Sequence, residues 1–208
     1  MKLAKIFFSF ILFLTLEQIS AQIPDSLKSK YLPEEELAKK PLYVEMQRAF
    51  RNYDKVFRLA VKGTGGYYGK ATAIDPRIDS LVYLQYFDAA NQAIDYLPMK
   101  FGKLVLMQQV YLSGNKFKAI PDTLFNLKNL KRLDFSGNQL IKIPPRIGEL
   151  TELEFLYLHD NKMLKDIPMD AFAKLKKLKF LNIRHTQIPR AKALELQKLL
   201  PGAKIEFF

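Results

Sequence analysis

Two histidines and one aspartate are the residues here whose types and spacing come nearest to chemistry. His159 and Asp160 are adjacent, and His185 follows in the next stretch of similar sequence. Two imidazoles and a carboxylate hold zinc when they converge, or trade protons as general acid and base. Gly63-Thr64-Gly65-Gly66 has glycines like those of a phosphate-binding loop, but the lysine and serine that should follow are absent. The chain has no cysteine, which excludes a thiolate zinc site, a cysteine nucleophile and a lipid-anchored lipoprotein. No nucleophile is specified beside either histidine. The expectation is a protein that is not an enzyme, with no catalytic residues and no cofactor. His159, Asp160 and His185 are its sole metal candidate, and an exposed polar turn is the plainer reading of them.

Whether those side chains meet depends on the elements that carry them, and these repeat. Asn115, Asn138 and Asn161 are spaced by 23 residues. Ahead of them stand Met107, Val110 and Leu112, then Leu130, Leu133 and Phe135, then Leu153, Leu156 and Leu158, each set in the form L-x-x-L-x-L-x-x-N. Behind them come Ile120-Pro121 and Ile143-Pro144, then Leu127 and Leu150. One period earlier lie Leu84, Phe87, Ala89 and Gln92, followed by Leu97-Pro98, Phe101 and Leu104. A first unit opens at Val56 with Leu59, Val61 and Thr64 and is lengthened by Gly65-Gly66-Tyr67-Tyr68-Gly69; a last one has Leu178, Leu181, Ile183 and Thr186. Side chains of a short strand alternate faces, so the central leucine points inward while its neighbours point out. One unit cannot bury its apolar face alone, whereas stacked units share a continuous core. The asparagine stands where the chain leaves the strand, and its amide satisfies backbone groups of adjacent turns. Gln92, Thr64 and Thr186 replace it, so the ladder should weaken at both ends.

The pattern resembles the leucine-rich repeat, in the 23-residue form of secreted bacterial proteins with an Ile-Pro turn. The resemblance implies an α/β fold: a right-handed leucine-rich-repeat solenoid with a short-stranded parallel sheet on its concave face, serving as a recognition module. Units starting at 56, 84, 107, 130, 153 and 178 make residues 56–190 the repeats. Residues 22–55 read as a helical N-terminal cap and linker. In it, Leu42, Met46, Ala49 and Phe50 have the spacing of an amphipathic helix lying over the first strand. Glu34-Glu35-Glu36 after Pro33 suit a short helix with charges matched to its dipole, and residues 22–32 look loosely ordered. Residues 191–208 form a C-terminal cap: a helix over Ala191–Leu200, stopped by Pro201-Gly202, then a strand over Ile205–Phe207.

Residues 1–21 have the layout of a secretory signal peptide: Lys2 and Lys5, an apolar run from Ile6 to Leu16, and small residues at Ser20-Ala21. The run falls well short of the ~20 residues a membrane-spanning helix needs. No transmembrane segment is therefore expected after signal removal, and the mature chain, secreted or periplasmic, should begin at Gln22. Export without cysteine points to a bacterium, because extracellular animal repeat proteins usually close their ends with disulfides. The formal charge of +12 favours anionic partners. Export makes nucleic acid a poor candidate and leaves an anionic envelope polymer as the alternative to a protein partner. The run Lys174, Lys176, Lys177 and Lys179 reads as a solvated face.

The outward strand positions say more. The third position of each unit reads Arg58, Tyr86, Gln109, Arg132, Phe155, Phe180, and the fifth reads Ala60, Asp88, Tyr111, Asp134, Tyr157, Asn182. Tyr111, Phe155, Tyr157 and Phe180, with Arg132 and Arg184, have the composition of an interface hot spot on the concave face. Those six are the candidate ligand-binding residues for a protein partner.

Overall fold

The computed structural model describes residues 23–61 and 71–207. The signal-peptide segment, Gln22, Thr64 and the glycine-rich insertion lie outside them. Helices are α1 (Asp25–Lys28), α2 (Glu34–Ala38), α3 (Met46–Arg51), α4 (Met169–Phe172) and α5 (Arg190–Leu199). Eight strands form one sheet in chain order: β1 (Leu42–Tyr43), β2 (Arg58–Ala60), β3 (Tyr86–Asp88), β4 (Gln109–Tyr111), β5 (Arg132–Asp134), β6 (Phe155–Tyr157), β7 (Phe180–Asn182) and β8 (Lys204–Glu206). Every pair is parallel, and the register carries Arg58, Tyr86, Gln109, Arg132, Phe155, Phe180 and Lys204 across the sheet in one row.

Each strand is short because its alternation serves a single inward residue. Leu59, Phe87, Val110, Leu133, Leu156, Leu181 and Ile205 are buried, all but Leu59 between exposed or partly exposed neighbours, and join one core running from Met46 to Ile205. Prolines set the return path. Pro98, Pro121 and Pro144 hold φ near −60° and offer their carbonyls to Phe101, Leu124 and Ile147, opening the 3-10 turns Met99–Lys103, Asp122–Asn126 and Pro145–Glu149. The result is a solenoid of stacked turns with one parallel sheet along one side.

The asparagines join adjacent turns. Asn138 Nδ2 donates to Leu112 O at 2.9 Å and Phe135 O at 3.1 Å, while its Oδ1 accepts from Phe117 N at 3.1 Å. Asn115 and Asn161 repeat this in their own units. Gln92 keeps a shortened version, accepting from Ala71 N and donating to Ala90 O. Thr186 reaches Ile183 O. The residue before each of these is left-handed: Asn91, Gly114, Gly137, Asp160 and His185 all have φ between +54° and +65°. Glycine suits that conformation, so Asp160 and His185 occupy turns that favour a residue without a side chain.

Two expectations for the N-terminal segment are corrected. Leu42 and Tyr43 are not helical; they form β1, and the helix begins only at Met46. A strand can hydrogen-bond the open edge of β2, which a helix with its own backbone bonds satisfied cannot. Residues 23–32 are not loose either. Ile23 is 4% exposed, α1 follows, and the chain from Lys30 onward is held against the repeats by side-chain hydrogen bonds. Their polar composition hid this, because the partners are glutamines far along the sequence. At the other end α5 spans Arg190–Leu199, and β8 pairs with β7 at Lys204–Glu206. No helix among the described residues is long and apolar enough to cross a membrane.

Candidate functional site

The exposed face of the sheet carries two aromatic groups. On β3 and β4, Tyr86 and Tyr111 lie with ring centroids 5.4 Å apart, and the Arg58 guanidinium sits 4.9 Å from the Tyr86 ring. Tyr111 donates to Gln109 Oε1 at 3.2 Å. Burial, only partly opposed by the positive charge of Arg132, pushes its hydroxyl up to about 12. On β5–β8, Arg132 covers the Phe155 ring at 4.1 Å, Tyr157 and Phe180 pack at 5.3 Å, and Lys204 lies 5.7 Å over Phe180. His159 stands edge-on to Tyr157 at 6.5 Å. These rings are partly buried, so each already rests on its neighbours while keeping one face toward solvent.

Of the six residues singled out from sequence, four therefore form one patch: Arg132, Phe155, Tyr157 and Phe180. Tyr111 belongs to the other group, with Tyr86, which stands in the third-position column of Arg132, Phe155 and Phe180 but is not among the six. Arg184 stands beyond the strand, where with Ile205, Glu206 and Phe207 it lines a shallow pocket at the β8 end. There Glu206 is held below the ordinary glutamate range, chiefly by its bond to Lys204 and also by Arg184 and His159. Lys204, in the row beside Phe180, was also missed, because the last strand lacks the repeat's leucine pattern.

The two histidines and Asp160 do meet. Asp160 Oδ1 lies 2.8 Å from His185 Nδ1 and Asp160 Oδ2 lies 3.8 Å from His159 Nε2. The carboxylate is thus engaged by one imidazole, and among the described residues no group of three or more His, Cys, Asp or Glu side chains is arranged to hold a metal ion. The lysine run is partly neutralised: Lys177 pairs with Glu152 at 2.7 Å and Lys179 with Glu154 at 2.5 Å. A separate groove of about 720 Å³ lies beside the Leu/Ile-Pro turns, walled by Tyr96, Lys118, Lys142 and Pro144.

The N-terminal half of the face is overlaid at its margin by residues 23–38, a strap crossing the start of the strands. Gln85 accepts from Leu32 N at 2.9 Å and donates to Lys30 O at 2.6 Å; Gln108 donates to Leu32 O at 2.6 Å. Glu34 takes bonds from Gln109 at 2.6 Å and Arg132 at 3.3 Å, and Arg58 reaches Ala38 O at 2.8 Å. Both Gln85 and Gln108 are fully buried. They occupy the second position of successive units, and their recurrence one period apart was the available signal.

Residues 69–200 match the model of the family described as "Leucine-rich repeat region". Among solved structures the chain is similar to a leucine-rich-repeat protein of Leptospira interrogans, at 32% identity and a TM-score of 0.63 over 68% of this chain and 36% of that one. It is also similar in fold to the plant peptide hormone receptor RGFR1 in complex with RGF2 (24% identity, TM-score 0.55, 65% of this chain and 22% of that one). A third likeness is to the functional domain of InlJ from Listeria monocytogenes (19%, 0.54, 67% and 28%). The chain thus spans little more than a third of the first of these chains and less of the others.

Proposed function

Because the chain belongs to the leucine-rich-repeat family, we propose that it is a secreted bacterial recognition module that binds a protein partner through the exposed sheet face of β5–β8 and catalyses nothing. The family and its structural relatives support a protein-interaction module. The choice of surface rests on one observation: Arg132, Phe155, Phe180 and Lys204 stand in one row across adjacent strands, with Tyr157 packed on Phe180 beside it. Aromatic and arginine side chains supply most of the affinity of protein interfaces, since large rigid surfaces bind at little entropic cost. Here the rings are already fixed by one another before a partner arrives. Secretion is supported by the layout of residues 1–21, and an intact mass starting at Gln22 in exported material is its check.

The decisive experiment is capture of a partner from envelope fractions and host extracts, followed by Tyr157→Ala and Phe180→Ala. Each should weaken binding by ~2 kcal/mol or more while thermal unfolding stays cooperative. If both leave affinity unchanged, the partner does not bind this face.

A further inference from the structure

The strap makes the contacts that a bound peptide would make. Between Lys30 and Leu32 the chain leaves the turn that follows α1, and two buried glutamines bond its main chain rather than its side chains. Gln108 Nε2 also donates to Gln85 Oε1 at 2.9 Å, so the two amides form one unit. Two residues farther along, the Glu34 carboxylate lies between Gln109 and Arg132. Main-chain bonds are indifferent to sequence, whereas a carboxylate against a guanidinium is selective. The seam is imperfectly matched: Gln108 Oε1, Arg132 Nε and Tyr31 OH are buried without a hydrogen-bond partner among the described residues. All three lie where strap meets repeats. Ile23 and Leu37 are buried but stand apart from the continuous core, so the strap lies on the solenoid without being part of its interior.

We infer that Gln85, Gln108, Gln109 and Arg132 form a peptide-binding groove that the strap fills as an intramolecular stand-in, and that its external ligand is a peptide segment carrying a carboxylate two residues past the backbone the glutamines read. Such a ligand must displace residues 30–34. Its apparent affinity is lowered in proportion to the fraction of molecules with the strap closed. Arg132 touches both Glu34 and the Phe155 ring, so an incoming peptide enters at the border of the aromatic row. The groove does not depend on that row binding anything.

The test uses the full chain and a fluorescent peptide of strap sequence, residues 28–38. Wild type should bind it weakly. Tyr31→Ala combined with Glu34→Lys, which loosens the strap and leaves the groove intact, should tighten binding by about tenfold. Adding Arg132→Ala should remove that gain, and a peptide with alanine in place of its first glutamate should not bind. Should the double variant not fold, Glu34→Gln alone carries the same test with a gain of about threefold. No gain, or a gain indifferent to Arg132, overturns the inference. A gain replaced by dimerisation of the loosened chain also overturns it and assigns the groove to the strap of a second copy. The probe is the strap's own sequence, not the partner sought at the aromatic face, so the two readings fail separately.

Discussion

At the position just before β3 and β4 stand Gln85 and Gln108, both taken up by the strap; at the same position before β6 and β7 stand Glu154 and Lys179, which take up each other. The parallel pairing is the same in both regions, and each strand sends one apolar residue inward, Phe87 and Val110 in the first and Leu156 and Leu181 in the second. A glutamine amide both donates and accepts, so a pair of them suits a main chain laid across it. A glutamate beside a lysine is already satisfied and leaves nothing for a strap to bind. One half of the solenoid is therefore overlaid at its margin by its own chain, and the other is not. The difference is made by a few residues at the margin of the sheet, while the pairing of the strands stays the same.

The comparison holds only if both halves hang from one core, so the largest effect should come from between them. Leu133→Ala should cost ~2–5 kcal/mol in chemical denaturation, as a single cooperative transition. Two separate transitions would show the halves to be independent domains. Next, Phe180→Ala should cost ~2 kcal/mol of partner binding, while Tyr86→Ala, on the strap side, should cost well under ~1 kcal/mol. Equal losses would erase the functional contrast. Asn138→Ala should cost ~1–3 kcal/mol by stranding the Phe117 N–H and removing one of the two amide bonds to each of the Leu112 and Phe135 carbonyls, which Asn115 and Asn161 still reach; Gln92→Ala should cost less, because Gln92 makes fewer bonds.

Tyr31→Phe should stabilise the strap by about 1 kcal/mol, since it deletes a buried hydroxyl without a partner. Burial, then Glu152, Glu34 and Glu154, raise the Tyr31 pKa. The folded chain therefore holds that proton more tightly than the unfolded one. Stability is unaffected below the ordinary tyrosine value of about 10 and falls as pH rises above it. The advantage of Tyr31→Phe should accordingly widen in base, read from denaturation midpoints at pH 9 to 11 (about two units around that value). Lys131→Ala should have the smallest effect, within about 0.5 kcal/mol, because its contact with the Tyr31 ring is long, at 5.9 Å.

Sequence alone determined the solenoid, because its signal is local and repeated. Leu133, Asn138 and Pro144 recur one period away as Leu156, Asn161 and a turn proline, and each does the same work in its own turn. The rows of outward residues followed from the same arithmetic, which is why Arg132, Phe155, Tyr157 and Phe180 were legible as a surface. The strap was not legible. Its bonds to Gln85, Gln108, Gln109 and Arg132 join residues 53 to 98 positions apart, with no period linking Leu32 to Gln85 or Glu34 to Arg132. Nor did the sequence show that Leu42 and Tyr43 would extend the sheet, since only the open edge of β2 makes a strand better there than a helix. A repeat constrains what neighbouring units do to one another; what a non-repeating segment covers depends on where the polar and apolar groups of the whole face are left unsatisfied, and only the assembled structure decides that.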